Sequence, residues 1–318
     1  MDNLKLIKKA RYTKFELRKT LQLPSTVTFG TEIEFEFCDL TKMQILLKSN
    51  NLNNYRVVRD STLISGGEVV SPVLKDGKET WQELTKVLKL VRDNAEVYHN
   101  TGGHIHVGAQ IFKKESDVLN FLYLWMLYED IIYRFSYGEF KEPRDTILIS
   151  ARPCGKKIEE ILQNNMHIRN IHIGKIYGLS LNYFKKFNFE IGNTLEIRCP
   201  NGSFSPEIWQ NNINCFVKLM QYATSDEVDY KKSFQSIIAP STFNIENYNN
   251  LNLEKACLLA DQIFETEKDK LLFLKEYIKG EDFTAESFSA SAEIAQKKRW
   301  LFISVFFYII FINFINFF

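Results

Sequence analysis

The polar and apolar positions of this chain change period along its length. The run Thr28-Phe29-Gly30-Thr31-Glu32-Ile33-Glu34-Phe35-Glu36-Phe37 alternates strictly. As a strand it sends Glu32, Glu34 and Glu36 to one face and Ile33, Phe35 and Phe37 to the other. The same logic predicts strands over 26–38, 55–60, 67–71, 103–110, 145–150, 177–184 and 193–199. Helical spacing predicts helices over 79–97, 115–135 and 205–223, the last opened by Ser205-Pro206-Glu207. After about residue 225 the pattern is helical, over 226–238, 252–266, 267–279 and 284–297. Strands and helices are interspersed without a βαβ rhythm, so the expected class is α+β on a largely antiparallel sheet.

Length and charge narrow the picture. With 318 residues and 45% hydrophobic content the chain can bury a large core. Lys plus Arg (40) nearly cancels Asp plus Glu (39), which argues against a nucleic-acid partner. Cys38, Cys154, Cys199, Cys215 and Cys257 are scattered without a CxxC pair, the pattern of reduced thiols in a cytoplasmic protein. The lysine-rich start, 1–18, lacks an apolar run long enough for a signal peptide. At the other end, Leu301–Phe318 is apolar except for Ser304, Asn313 and Asn316, and follows Lys297-Lys298-Arg299-Trp300. This tail reads as a membrane anchor, a buried terminal segment, or a chain end altered by a shifted reading frame. The expected division is a catalytic part (1–240), a helical region (241–300) and the tail (301–318), with 241–252 as the boundary.

Like charges along one strand face repel, so Glu32, Glu34 and Glu36 need compensation. Bulk water supplies it on an open sheet, and divalent cations supply it in a cleft. A second segment, Arg59-Asp60-Ser61-Thr62-Leu63 followed by Gly66-Gly67-Glu68-Val69-Val70-Ser71-Pro72, makes a turn and a short strand opened by Glu68. Glu68 is either solvated on a hairpin or a fourth carboxylate in the same cleft. A third, Thr101-Gly102-Gly103-His104-Ile105-His106-Val107-Gly108, puts His104 and His106 on one strand face between glycines. Such a pair could ligate a transition metal, or donate to phosphate or substrate oxygens. In a fourth, Asn193-Thr194-Leu195-Glu196-Ile197-Arg198, Thr194, Glu196 and Arg198 share a face. Glu196 and Arg198 form either a weak surface pair or, in a cleft, a fork for phosphate or carboxylate oxygens.

Together these pieces resemble the amidoligase family, within the superfamily of glutamine synthetase and glutamate–cysteine ligase. The resemblance runs through Gly30-Thr31-Glu32-Ile33-Glu34, Asp60-Ser61 with Glu68-Val69-Val70-Ser71-Pro72, Gly102–Gly108, Leu181-Asn182 and Thr194–Arg198, covering 26–205. It implies a glutamine-synthetase-like antiparallel sheet with flanking helices, and an ATP-dependent carboxylate–amine ligase working through an acyl phosphate. Magnesium would be held by Glu32, Glu34, Glu68 and Glu196. His104, His106 and Arg198 would be catalytic, contacting nucleotide phosphates or the acyl phosphate, and Asn182 would orient nucleotide or substrate. The partners implied are small molecules or peptides carrying a carboxylate and an amine. Glu36 lies beyond the motif and reads as a plain polar residue at the strand end. A lid is expected to keep water from the acyl phosphate, with 138–146 and 150–157 as candidates through Arg144, Arg152, Lys156 and Lys157. Two other readings stand: a hydrolase holding zinc or iron through His104 and His106, and a membrane-tethered binding protein without turnover.

Overall fold

The computed structural model describes residues 3–97, 100–141, 158, 171–184, 189, 192–229 and 251–280. The predicted strand 145–150, the helix 284–297, most of 226–238, the lid segment 150–157 and the tail lie outside them. The chain begins with α1 (Asn3–Tyr12) and continues through β1 (Phe29–Phe35), α2 (Leu40–Ser49), β2 (Arg56–Arg59) and β3 (Gly67–Val70). Next come α3 (Lys78–Asn94), β4 (Gly103–Gly108), a 3-10 turn (Ala109–Ile111), α4 (Glu115–Ser136), β5 (Leu179–Ser180) and β6 (Thr194–Ile197). Three helices close the described chain: α5 (Pro206–Tyr222), α6 (Leu253–Ile263) and α7 (Glu267–Ile278).

The strands form one six-stranded sheet in the order β2-β3-β1-β4-β6-β5. Every pairing is antiparallel. The class is α+β, as the interspersed periodicities predict.

One face of the sheet is apolar and fully buried. Ile33, Phe35, Val69, Ile105, Val107, Leu195 and Ile197 are each at most 1% exposed. Opposite them α3 turns inward the stripe Trp81, Leu84, Val87, Leu88 and Val91, and Trp81 stacks on Phe29 with ring centroids 5.6 Å apart. α4 buries nearly all of its circumference, as a helix enclosed by others must. α5 starts where Ser205 accepts a hydrogen bond from the Ile208 amide and Pro206 follows. α6 and α7 pack on each other and on α4, α5 and α1, and their apolar residues join the same core as the sheet.

Helices α1 and α2 are not expected from the periodicity, and two of the predicted strands differ from expectation. β1 stops at Phe35, and Phe37 adopts φ +58 and is half exposed instead of continuing the apolar face. The strand predicted over 177–184 shrinks to Leu179–Ser180, because the chain on either side is spent on turns. The glycine pair 66–67 is demanded by close approach: a Cβ on Gly66 would lie 2.0 Å from the Phe35 carbonyl oxygen. No helix among the described residues is long and apolar enough to cross a membrane.

Candidate active site

The opposite face of the sheet carries the chemistry, and strand register sets which residues meet. Glu34 sits across from Glu68, Glu32 across from His104, and His106 across from Glu196. Directly opposed residues hold their Cβ atoms about 5 Å apart, so these side chains come within reach of one another.

His104 is the hub. It is 2% exposed, its Nδ1 lies 3.0 Å from Glu32 Oε2, and its Nε2 lies 3.3 Å from Glu34 Oε1. Glu32 also reaches His106, whose Nε2 is 2.9 Å from Glu32 Oε1. His106 is steadied by Thr194 Oγ1, 3.1 Å from Nδ1, and by an edge contact with Tyr183 at 5.0 Å between ring centroids. The Gly102 amide donates to Glu34 Oε2, and Arg198 donates to Glu196 Oε1.

Two groups of possible ligand atoms result. Those of Glu32, His104 and Glu196 lie within 4.8 Å of one another, and so do those of Glu34, Glu68 and His104. All four carboxylates expected from the sequence therefore converge, joined by a histidine that belongs to both groups. The solvated-face alternative fails, because Glu34 and Glu196 are buried and Glu32 is mostly enclosed.

The electrostatics follow from burial and crowding. Burial pushes the Glu32 carboxyl up, but hydrogen bonds from His104 and His106, and their charges, outweigh it and hold Glu32 well below the ordinary carboxylate range. Glu68 goes the other way, raised from 4.5 to about 8 by burial and by the charges of Glu32, Glu34 and Asp60, against a smaller pull from Lys175. Glu196 Oε2 is buried and accepts no hydrogen bond from the described residues. A carboxylate oxygen enclosed without a donor, on a sheet face that also crowds Glu32, Glu34 and Glu68, is suited to a hard cation. Magnesium fits these residues better than a closed zinc site, since each group is dominated by carboxylate oxygens.

Other expected residues land less centrally. Asn182 is exposed in the turn after β5, where its amide donates to Ser180 Oγ at 3.3 Å. Glu36 is fully buried and structural: its Oε1 accepts from the Ile64 amide at 2.8 Å, fixing the loop that leads into β3. Within the first lid candidate, Gly138–Lys141 are described and tied down, as Lys279 donates to the Gly138 carbonyl and Ser203 to Glu139. Beside the site, a cavity of about 240 Å³ is floored by Gly30 and walled by Pro72, His106, Tyr183 and Thr194.

Sequence reasoning missed Lys175 and Tyr183. The Lys175 ammonium sits 5.4 Å from the centre of the Tyr183 ring, and its charge is felt at Glu196 and Arg198. The segment Ile171–Gly178 carries no periodicity or motif that would have marked it.

A search of curated proteins returned no match to the chain. A family model described as "Putative amidoligase enzyme" matches residues 47–220, more than half of the chain, and within that range fall Glu68, His104, His106, Glu196 and Arg198. Its match agrees with the motifs read above, and the chain belongs to the amidoligase family.

Proposed function

We propose that this protein is an ATP- and magnesium-dependent carboxylate–amine ligase that forms an amide or peptide bond through an acyl phosphate, on a sheet of glutamine-synthetase type. Family membership makes it a ligase-type enzyme. The observation that carries the finer reading is the pair of overlapping ligand groups, Glu32–His104–Glu196 and Glu34–Glu68–His104, with Arg198 alongside.

Activating a carboxylate with the γ-phosphoryl group of ATP asks a protein for positioning and charge neutralisation rather than covalent chemistry. Bound magnesium would supply charge neutralisation for the phosphate oxygens, held by Glu32, Glu34, Glu68, Glu196 and His104. Arg198, with Glu196 fixing its guanidinium, presents a planar fork to phosphate or acyl-phosphate oxygens. His106, oriented by Thr194 and Tyr183, would donate to the same oxygens on releasing its contact with Glu32. Asn182 would contact nucleotide or substrate from the rim. The acid and the amine are small molecules or peptides.

The hydrolase reading needs both histidines on one transition metal. Neither ligand group contains His106, which weighs against it. Elemental analysis of protein purified without added metal separates the two, because the hydrolase predicts stoichiometric zinc or iron. For the ligase, the test is magnesium-dependent ATP turnover stimulated by a carboxylate plus amine pair. Glu34→Ala and Arg198→Ala should abolish it, and retained activity in either would remove the proposal.

A further inference from the structure

The turn Gly174–Tyr177 is built into the wall beside Arg198. The Ile173 carbonyl accepts from the Leu181 amide at 2.8 Å, and Ile173 itself is fully buried, closing the base of a short hairpin. At its far end the Gly178 amide donates to Tyr133 Oη at 2.8 Å, while the Gly178 carbonyl accepts from the Arg198 amide at 2.7 Å. A Cβ on Gly178 would lie 2.4 Å from Tyr133 Oη, so this anchorage requires glycine. Within the turn, the Tyr177 amide donates to the Gly174 carbonyl at 3.3 Å. Lys175 and Ile176 form an exposed tip, Ile176 being 60% accessible. Backbone hydrogen bonds thus tie the base of the hairpin to the residue that carries the Arg198 guanidinium.

An exposed lysine ordinarily keeps its rotamers free, since ordering its stem costs side-chain entropy. Here Lys175 lies over the Tyr183 ring at 5.4 Å, and that ring in turn packs edge-on against His106. Charge is unevenly divided across the site face. Glu34, Glu68 and Glu32 occupy the β1 and β3 half, Arg198 and Lys175 accompany Glu196 on the β6 side, and His104 and His106 lie between. Glu196, paired with Arg198, offsets one of these two positive charges and leaves the other to be met by an anion. A phosphate group flanked by acid-held metal on one side and these cations on the other satisfies both halves.

We propose that Lys175, held against the Tyr183 ring at the edge of the site, is a second phosphate-binding cation that acts with Arg198 on the terminal phosphates of the nucleotide. This rests on the ligase reading above. Lysine suits the role: a compact charge on a flexible stem follows a phosphate as it moves, whereas Arg198 offers a fixed fork. Tyr183 is a positioning residue, acting through Lys175 and His106.

The test uses the full chain with magnesium, measuring calorimetric affinity for a non-hydrolysable ATP analogue and, separately, for AMP. Lys175→Ala should weaken the analogue about tenfold, the cost of one charge-assisted phosphate contact, and leave AMP unchanged. Lys175→Arg should stay within about threefold of the parent, Tyr183→Leu should weaken the analogue at least as much as Lys175→Ala, and the double variant should lose no more than Tyr183→Leu alone. Because Lys175 is exposed, its removal does not threaten folding. Unchanged affinity for the analogue, or an equal loss for AMP, overturns the role of Lys175 while leaving the ligase reading standing. Failure of the parent chain to bind the analogue at all overturns both.

Discussion

Replacing Glu68 by Gln should stabilise the metal-free protein at alkaline pH and leave it nearly unchanged at acid pH. Glu68 is raised from 4.5 to about 8, by burial first and then by Glu32, Glu34 and Asp60. A carboxyl whose native value exceeds its unfolded value keeps its proton longer in the native state. Between about 4.5 and 8 the native protein therefore binds more protons than the unfolded chain, and stability falls as pH rises through that window. At about 1.4 kcal/mol per tenfold change in proton affinity, the full effect is bounded at about 5 kcal/mol. Glu68 is only partly buried, and water and salt screen it, so about 1–2 kcal/mol is the realistic gain from Gln. Gln has the shape of the protonated acid, so at pH 4, below that window, the two proteins should unfold at nearly the same urea midpoint. At pH 9 the Gln variant should be the more stable. Every other titrating group is common to both proteins, so the difference isolates Glu68. Adding magnesium should then stabilise the parent more at pH 9 than at pH 4, and the variant less than the parent. An equal offset between the two proteins at both pH values, or magnesium stabilisation that Gln leaves intact, would refute the argument.

Other expectations follow from the same geometry. His104→Ala removes the one side chain common to both ligand groups and should lower magnesium-dependent ATP turnover more than about 100-fold, read in a steady-state phosphate-release assay. Glu36→Ala should cost about 1–3 kcal/mol in urea unfolding, because the hydrogen bond from the Ile64 amide to the buried carboxyl is lost, while magnesium affinity of the folded protein stays at the parent value. Gly66→Ala forces a Cβ against the Phe35 carbonyl and should lower the thermal midpoint by the equivalent of about 3 kcal/mol or more. Trp81→Ala opens a void under Phe29 and should cost about 3–5 kcal/mol by denaturant titration.

Much of the fold was legible because its signals are local. The alternation over 29–35 and 103–108 and the helical stripe of α3 depend only on which residues face the core, and each appears where periodicity puts it. The shared direction of the acidic side chains was legible for a related reason. A strand with period two aims Glu32 and Glu34 the same way whatever its partners are, so motif and face can be read together.

Tertiary structure alone decided the rest. Only register could make His104 the bridge between Glu32 and Glu34, since a slip of one residue would turn it to the opposite face. Glu36 looked like the third member of an acidic row, yet the loop from β2 to β3 folds over it and makes it structural. Lys175 could not have been found from sequence, because its place beside Arg198 arises from long-range backbone bonds through Gly178. The sequence by itself determined which side chains each strand presents, through backbone geometry repeated every two residues. Which of them meet was decided by strand pairing and loop closure, contacts between residues far apart in the chain that no local pattern encodes.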